Sequence, residues 1–365
     1  MADCIIIGAG LIGMLTAHEL VNAGLQVTVL DRQRPGRESS WAGGGILSPL
    51  YPWNYPNAVN ELASWGQQRY ADYCQQLMDA SGIDPQWTQT GLLIADIESP
   101  DLLNSWQNRF NAKLERVSSN QIQAIEPGLG IDVADAVWLP QVAQVRNPRL
   151  VQALRTSLER AGVEFRSDCP AQAWVTNGDW VSAVKTPEGE LSAGAYIVAG
   201  GAWSGELLST TGLQLPIEPI RGQMLLFKGP PGLVRTITLY QSRYVIPRRD
   251  GHVLVGSTLE QVGFDKQTTA EARADLEASA YQLIPALARH TIEQHWSGLR
   301  PGSPAGIPAI GPHPELGNLF INTGHFRNGV VLGPASARLL ADHVLVRIPE
   351  FAAESYLPEN IVKTD

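Results

Sequence analysis

Cysteine is scarce, with three residues in 365, at positions 4, 74 and 169. Spacing this wide builds neither a disulfide framework nor a zinc cluster. Three small buried hydrophobes in a reducing compartment are expected, with no metal. Basic residues are the minority, 27 Lys and Arg against 36 Asp and Glu, for a formal net charge of −9. With no long basic run, the pattern argues against a nucleic-acid partner. No apolar run reaches the roughly 18 residues that read as a membrane span. The start, Met1-Ala2-Asp3, lacks the basic flank of a secretory leader, so a cytoplasmic location is expected. Repeats and low-complexity tracts are also missing. What remains is a chain 44% hydrophobic, long enough for a large core and for two domains.

The most informative stretch lies at the beginning. Cys4-Ile5-Ile6-Ile7 is an uncharged apolar run of the kind buried on both faces of a parallel sheet. Gly8, Gly10 and Gly13 follow in G-x-G-x-x-G spacing, then a helical pattern to Gly24, a second apolar run from Val27 to Leu30, and Asp31. In a dinucleotide site the first glycine allows the tight turn, the second admits a pyrophosphate and the third lets helix lie on strand. The helix N-terminus favours phosphate, and an acid such as Asp31 accepts from a ribose hydroxyl. The strand before, the helix after and the acid at the right distance give the motif its context.

Further along, Ser39-Ser40-Trp41-Ala42-Gly43-Gly44-Gly45-Ile46 offers two hydroxyls and three glycines. Such a stretch is either a hinge or a backbone wall for a flat ring. An amphipathic helix is expected over 58–80, stopped by Gly82. Pro148 to Ala161 followed by Val163-Glu164-Phe165 reads as helix and strand of a doubly wound sheet, and 195–201 as another buried strand ending in glycines. Two strands flank Asp250-Gly251 as a hairpin, and period 2 puts Ser242, Tyr244 and Ile246 on one face. Near the C-terminus, a strand at 319–322 leads through Gly324-His325-Phe326-Arg327-Asn328-Gly329. A helix is expected to open at Gly333-Pro334, with proline in its first turn.

Six stretches together resemble the D-amino-acid oxidase/glycine oxidase family of FAD enzymes: CIIIGAGLIG, SSWAGGGIL, VAGGAWS, YVIPRRDGHVLVGSTLE, WSGLRPGSPAGIPAIG and TGHFRNGVVLGPASARLLAD. They run from residue 4 to residue 342, and GLRP with GHFRNG is closest to the glycine oxidase branch. The resemblance implies an α/β fold. A Rossmann-like, glutathione-reductase-like FAD-binding domain would comprise residues 1–82, 147–213 and 297–365. A strand-rich α+β substrate domain would comprise residues 83–146 and 214–296.

It also implies site residues. Arg300 and Tyr244 would hold the substrate carboxylate, with Arg327 beside them. Gly8, Gly10, Leu11, Ile12 and Gly13 would meet the FAD pyrophosphate, and Asp31 and Arg32 its ribose. Ser39, Ser40, Gly44, Gly45 and Ile46 would line the ribityl chain and flavin, and Ala171 the adenine side. His325, Phe326, Arg327, Asn328, Gly329, Val330 and Val331 would follow the isoalloxazine edge. Ile46 and Leu259 stand where a related enzyme has methionines in the pocket. With no cysteine after Cys169, non-covalent FAD is implied.

The implied reaction is oxidative deamination of glycine and small amines (sarcosine, small D-amino acids) by oxygen, giving 2-oxo acid, ammonia and hydrogen peroxide. The resemblance associates it with making the thiazole of thiamine, in a homotetramer. A quinone-linked D-amino-acid dehydrogenase and a non-enzymatic flavin-binding scaffold share the same sequence features.

Overall fold

The computed structural model describes residues 2–97 and 99–361. A six-stranded sheet carries the N-terminal motif. Its strands run in the order Ala309–Pro312, Leu319–Thr323, Ala193–Val198, Ala2–Ile7, Val27–Leu30 and Glu164–Arg166. All neighbours are parallel except the edge pair of Ala309–Pro312 with Leu319–Thr323. The central strand is buried from Cys4 to Ile7, as its unbroken apolar run requires. Helices Leu11–Asn22 and Gly329–Val344 pack together on one face of this sheet, where Ile6, Met14, Leu15, Val29 and Leu340 share a core.

The second sheet has eight strands: Thr291–Gly302, Glu218–Lys228, His252–Gly256, Arg243–Pro247, Ile237–Tyr240, Leu92–Ile94, Asp135–Leu139 and Glu115–Ser118. It is antiparallel apart from the pair of Ile237–Tyr240 and Leu92–Ile94. One face packs on helix Ala270–Leu283 through Leu225, Phe227, Val255, Leu276 and Leu283. The strand Thr291–Gly302 runs straight through the expected boundary at 296/297. It begins at an edge of the eight-stranded sheet and delivers Arg300 to the cavity described below.

Several helices lie close to expectation: Asn57–Ser81, capped by Gly82 in the left-handed conformation, and Asn147–Arg160. The C-terminal helix does not. It starts at Gly329, four residues before the expected Gly333, so Pro334 sits inside it. Proline there has no N–H for the Val330 carbonyl one turn back. The buried hydroxyl of Tyr70 takes that place, donating to Val330 O at 2.7 Å. Helix Asn57–Ser81 can approach this closely because Gly66 faces the Val331 carbonyl, where a Cβ would lie at 2.1 Å. The proline signal in the sequence was thus outweighed by a tertiary hydrogen bond.

Candidate functional site

A cavity of about 480 Å³ begins at the carboxyl ends of the six-stranded sheet and extends to the eight-stranded one. Its first wall is the turn after the central strand, with Gly8, Gly10, Leu11 and Ile12. Gly8 has φ +111°, and a Cβ there would lie 2.4 Å from the Ala199 carbonyl. Gly13 is not in the wall. It lets the helix press on the strand, since its Cβ would meet Gly8 O at 1.9 Å. The amide of Leu11, at the helix N-terminus, donates to Ser40 Oγ at 2.8 Å. Ser40 therefore serves a distant helix, not the short one, Ser39–Ala42, that contains it.

Asp31 lines the same end. Its carboxylate accepts from the amides of Ala9 (2.8 Å) and Gln33 (3.0 Å), so it orders the glycine turn as well as facing the cavity. Burial raises its pKa, and the two amide hydrogen bonds oppose that. Arg32 stacks 3.5 Å over the Trp203 ring and pairs with Glu38 at 3.1 Å. Ala171, Ser39, Arg32 and Trp203 all belong to the lining.

At the other end lie Gly44, Gly45, Ile46, Met224, Tyr244 and Arg300. Tyr244 and Ile246 do share a face. A Cβ on Gly44 would lie 2.7 Å from Ile246 Cδ1 and 3.5 Å from Tyr244 Cε2. The third member, Ser242, precedes the strand Arg243–Pro247 and has φ +61°, so it belongs to the turn.

Arg300 Nη1 donates to Thr258 O (3.1 Å) and Nη2 to Ser257 Oγ (2.7 Å). Its guanidinium lies over Gly222 of the adjacent strand, where a Cβ would be 2.0 Å from Nη1. Burial lowers the pKa of Arg300, nearby Tyr244 opposes the shift, and Arg327 adds to it. No carboxylate bonds to either arginine among the described residues: Arg300 is held by Ser257 and Thr258, and Arg327 Nη2 is buried without a partner. Two cations converging on an apolar-walled cavity suit a small anion, and a guanidinium fork suits a carboxylate in particular.

The loop before the C-terminal helix closes the cavity with His325, Phe326, Arg327, Gly329 and Val330. His325 is buried, both ring nitrogens lack partners, and desolvation pushes its pKa down to about 3, so the ring is neutral near pH 7. Asn328 and Val331 are buried but do not line the cavity. Leu259 is a correction. The residue is 48% exposed and outside the lining: its neighbour Glu260 exchanges both backbone hydrogen bonds with Arg221 of the adjacent strand, and Leu259 is left at the surface. Buried Met224 occupies the wall near Tyr244, its sulfur 4.0 Å from the hydroxyl. Sequence reasoning missed Met224, Gly222 and Ser257; a glycine inside the long strand Glu218–Lys228 was the one available signal.

The sequence matches the family described as FAD dependent oxidoreductase over residues 3–343. The chain belongs to that family. It is 48% identical to a glycine oxidase of Pseudomonas aeruginosa over 355 residues, covering 97% of this chain and 98% of the relative. It is 33% identical to the bifunctional protein ThiO/ThiG of a Synechocystis species over 370 residues, all of this chain and 54% of that longer protein. The crystal structure of glycine oxidase from Geobacillus kaustophilus superposes with a TM-score of 0.92 over 98% of each chain, at 26% identity. The fold is that of this FAD-dependent family, and the chain is an FAD-dependent amino-acid oxidase by kinship.

The residues present suit FAD. The glycine turn and helix N-terminus form a phosphate cradle at one end. At the other, the amides of Gly44, Gly45 and Ile46 meet no protein acceptor among the described residues. Both nitrogens of His325, which lines the cavity, are buried and unpaired. Buried polar groups are normally satisfied, so such a set marks where a polar ring system is received. Among the described residues, no cluster of three or more His, Cys, Asp or Glu is placed to hold a metal, and no helix is long and apolar enough to cross a membrane.

Proposed function

We propose that this chain catalyses the FAD-dependent oxidative deamination of glycine and similarly small amines, among them sarcosine and small D-amino acids. Amine, oxygen and water would yield the 2-oxo acid, hydrogen peroxide and ammonia, with methylamine in place of ammonia from sarcosine. The observation that carries the proposal is the convergence of Arg300 and Arg327 on the cavity beside Tyr244, with no acid paired to either among the described residues. Arg300 offers a fork to the substrate carboxylate and Tyr244 a hydroxyl donor. Met224 and Ile46 restrict the side chain that fits beside them. Gly8, Gly10, Leu11 and Ile12 would hold the pyrophosphate and Asp31 and Arg32 the ribose. Ser39, Ser40, Gly44 and Gly45 would flank the ribityl chain and flavin, Ala171 the adenine, and residues 325–331 the isoalloxazine edge.

Bound FAD supplies a two-electron acceptor that takes hydride from the substrate Cα and passes the electrons to oxygen. The protein's share is orientation: the carboxylate is fixed at one end so that the Cα–H meets the acceptor. No protein base is required, and His325 would be a weak one, because burial lowers its pKa to about 3. The imine left on the substrate hydrolyses in water. Kinship with a bifunctional ThiO/ThiG protein supports a role in supplying the glycine imine or glyoxylate for the thiamine thiazole. A cytoplasmic homotetramer completes the reading.

FAD is proposed to be non-covalent. All three cysteines are buried, and although Cys169 reaches the cavity, it does so beside Pro170 and Ala171, away from the loop at 325–331. Acid precipitation should therefore release the flavin to the supernatant; yellow colour retained in the pellet would contradict this. Glycine added to the flavin-loaded protein without air should bleach the flavin absorbance. A scaffold that merely binds flavin would stay oxidised.

A further inference from the structure

The side chain of Arg248 is buried yet, among the described residues, bonds only to neutral acceptors. Its Nη1 donates to the side chain of Gln144 and to the Val145 carbonyl (2.9 Å), and its Nη2 donates to the Gly44 carbonyl (2.8 Å). Arg146, a cation near enough to repel it, is occupied with Asp250 at 2.5 Å. Burial pulls the pKa of Arg248 down to about 9, which still leaves it charged at neutral pH. Desolvating a cation is costly, and a neutral side chain could join the hairpin to the glycine loop with less penalty. The position of the charge is therefore the feature that needs a reason.

Gly44 and Gly45 line the cavity, whereas Arg248 lies behind them. The peptide between the two glycines is planar and trans, so its C=O and N–H point in opposite directions. The carbonyl end rests on Arg248. The N–H end, belonging to Gly45, faces away from Arg248 and has no protein acceptor among the described residues. The arrangement is fixed from the other side as well. Gly45 has φ +75°, a Cβ on it would lie 2.1 Å from Val145 O, and its own carbonyl accepts from the Val145 amide at 2.9 Å. The Val145 carbonyl is the same one that Arg248 holds. A cation bonded to a carbonyl polarises the whole amide and strengthens its N–H as a donor.

We propose that Arg248 is a positioning residue that turns the Gly45 amide N–H into the cavity and polarises it toward bound flavin, raising the flavin's reduction potential. The proposal rests on the FAD reading but not on glycine being the substrate. It also separates two functions of the hairpin: Tyr244 faces the cavity directly, while Arg248, four residues on, acts through the glycine loop.

The test is the midpoint potential of the FAD-loaded protein, measured by dye equilibration without any amino acid. R248M should lower it by at least a tenfold change in the reduction equilibrium, about 30 mV for a two-electron couple. R248K, which keeps the charge but not the fork, should lie between R248M and the parent. Q144E leaves Arg248 in place and sets a carboxylate against it, so it should shift the potential in the same direction as R248M. Any of R248M or Q144E that holds FAD at the parent potential would reduce Arg248 to a structural tie and overturn the proposal. A parent chain inert toward glycine, but with these shifts, would leave the proposal standing while the substrate reading failed.

Discussion

Replacing Arg300 with alanine should raise the KM for glycine steeply while FAD remains bound. The guanidinium is held by Ser257 Oγ and Thr258 O and lines the cavity with no acid bonded to it among the described residues. Its loss removes a charge-assisted fork to the substrate carboxylate, worth about 3 kcal/mol or roughly a hundredfold in kcat/KM. The flavin spectrum should be unchanged, because the segments proposed to hold the cofactor are others: the N-terminal turn, the glycine loop and the loop at 325–331. Steady-state kinetics on flavin-replete protein decides this. A KM within a few-fold of the parent would remove Arg300 from the carboxylate site.

Gly222→Ala should impair the same interaction without touching the charge. The added methyl would start 2.0 Å from Arg300 Nη1 and 2.2 Å from Nη2, so the guanidinium must leave its present position. Gly222 lies within the part of the Glu218–Lys228 and Thr291–Gly302 pairing that keeps one register, from Glu218 to Leu226, so the backbone has little freedom to give way. The expected result is a KM for glycine raised at least about tenfold, near 1.4 kcal/mol, with FAD still bound. Unaltered kinetics in G222A would mean that the position of Arg300 is not critical to substrate binding.

The part of the fold legible in the sequence is the part governed by local rules. The first strand, its glycine turn and the acid at residue 31 are fixed by an apolar run and by spacing within one supersecondary unit. The helix over 58–80 was readable from its periodicity and its terminal glycine. Non-local contacts were not readable. The early start of helix Gly329–Val344 depends on Tyr70, 260 residues away, serving the carbonyl that Pro334 leaves free. The placement of Leu259 rested on family likeness alone, with no local pattern to fix it, and the regular strand His252–Gly256 ends before it.

Within the site, residue chemistry and family likeness pointed to Tyr244, Arg300 and Arg327, and the fold brings all three to one cavity. Composition alone would not have selected the two arginines from 27 Lys and Arg. The supporting residues were harder to find. Met224 and Gly222 belong to a strand whose neighbours are set by pairing across the sheet. Arg248 reads in sequence as a turn-flanking surface charge, and its burial against Gly44, Gln144 and Val145 follows from how the hairpin meets the glycine loop.

The most direct test of the central claim is hydrogen peroxide formation by the purified, FAD-loaded protein in air, with glycine, sarcosine and D-alanine supplied in parallel. The account predicts peroxide from glycine and sarcosine, formed one for one with the 2-oxo acid. No peroxide from any of the three, together with reduction of an artificial dye by the same amines, would contradict it and identify a dehydrogenase that uses another electron acceptor.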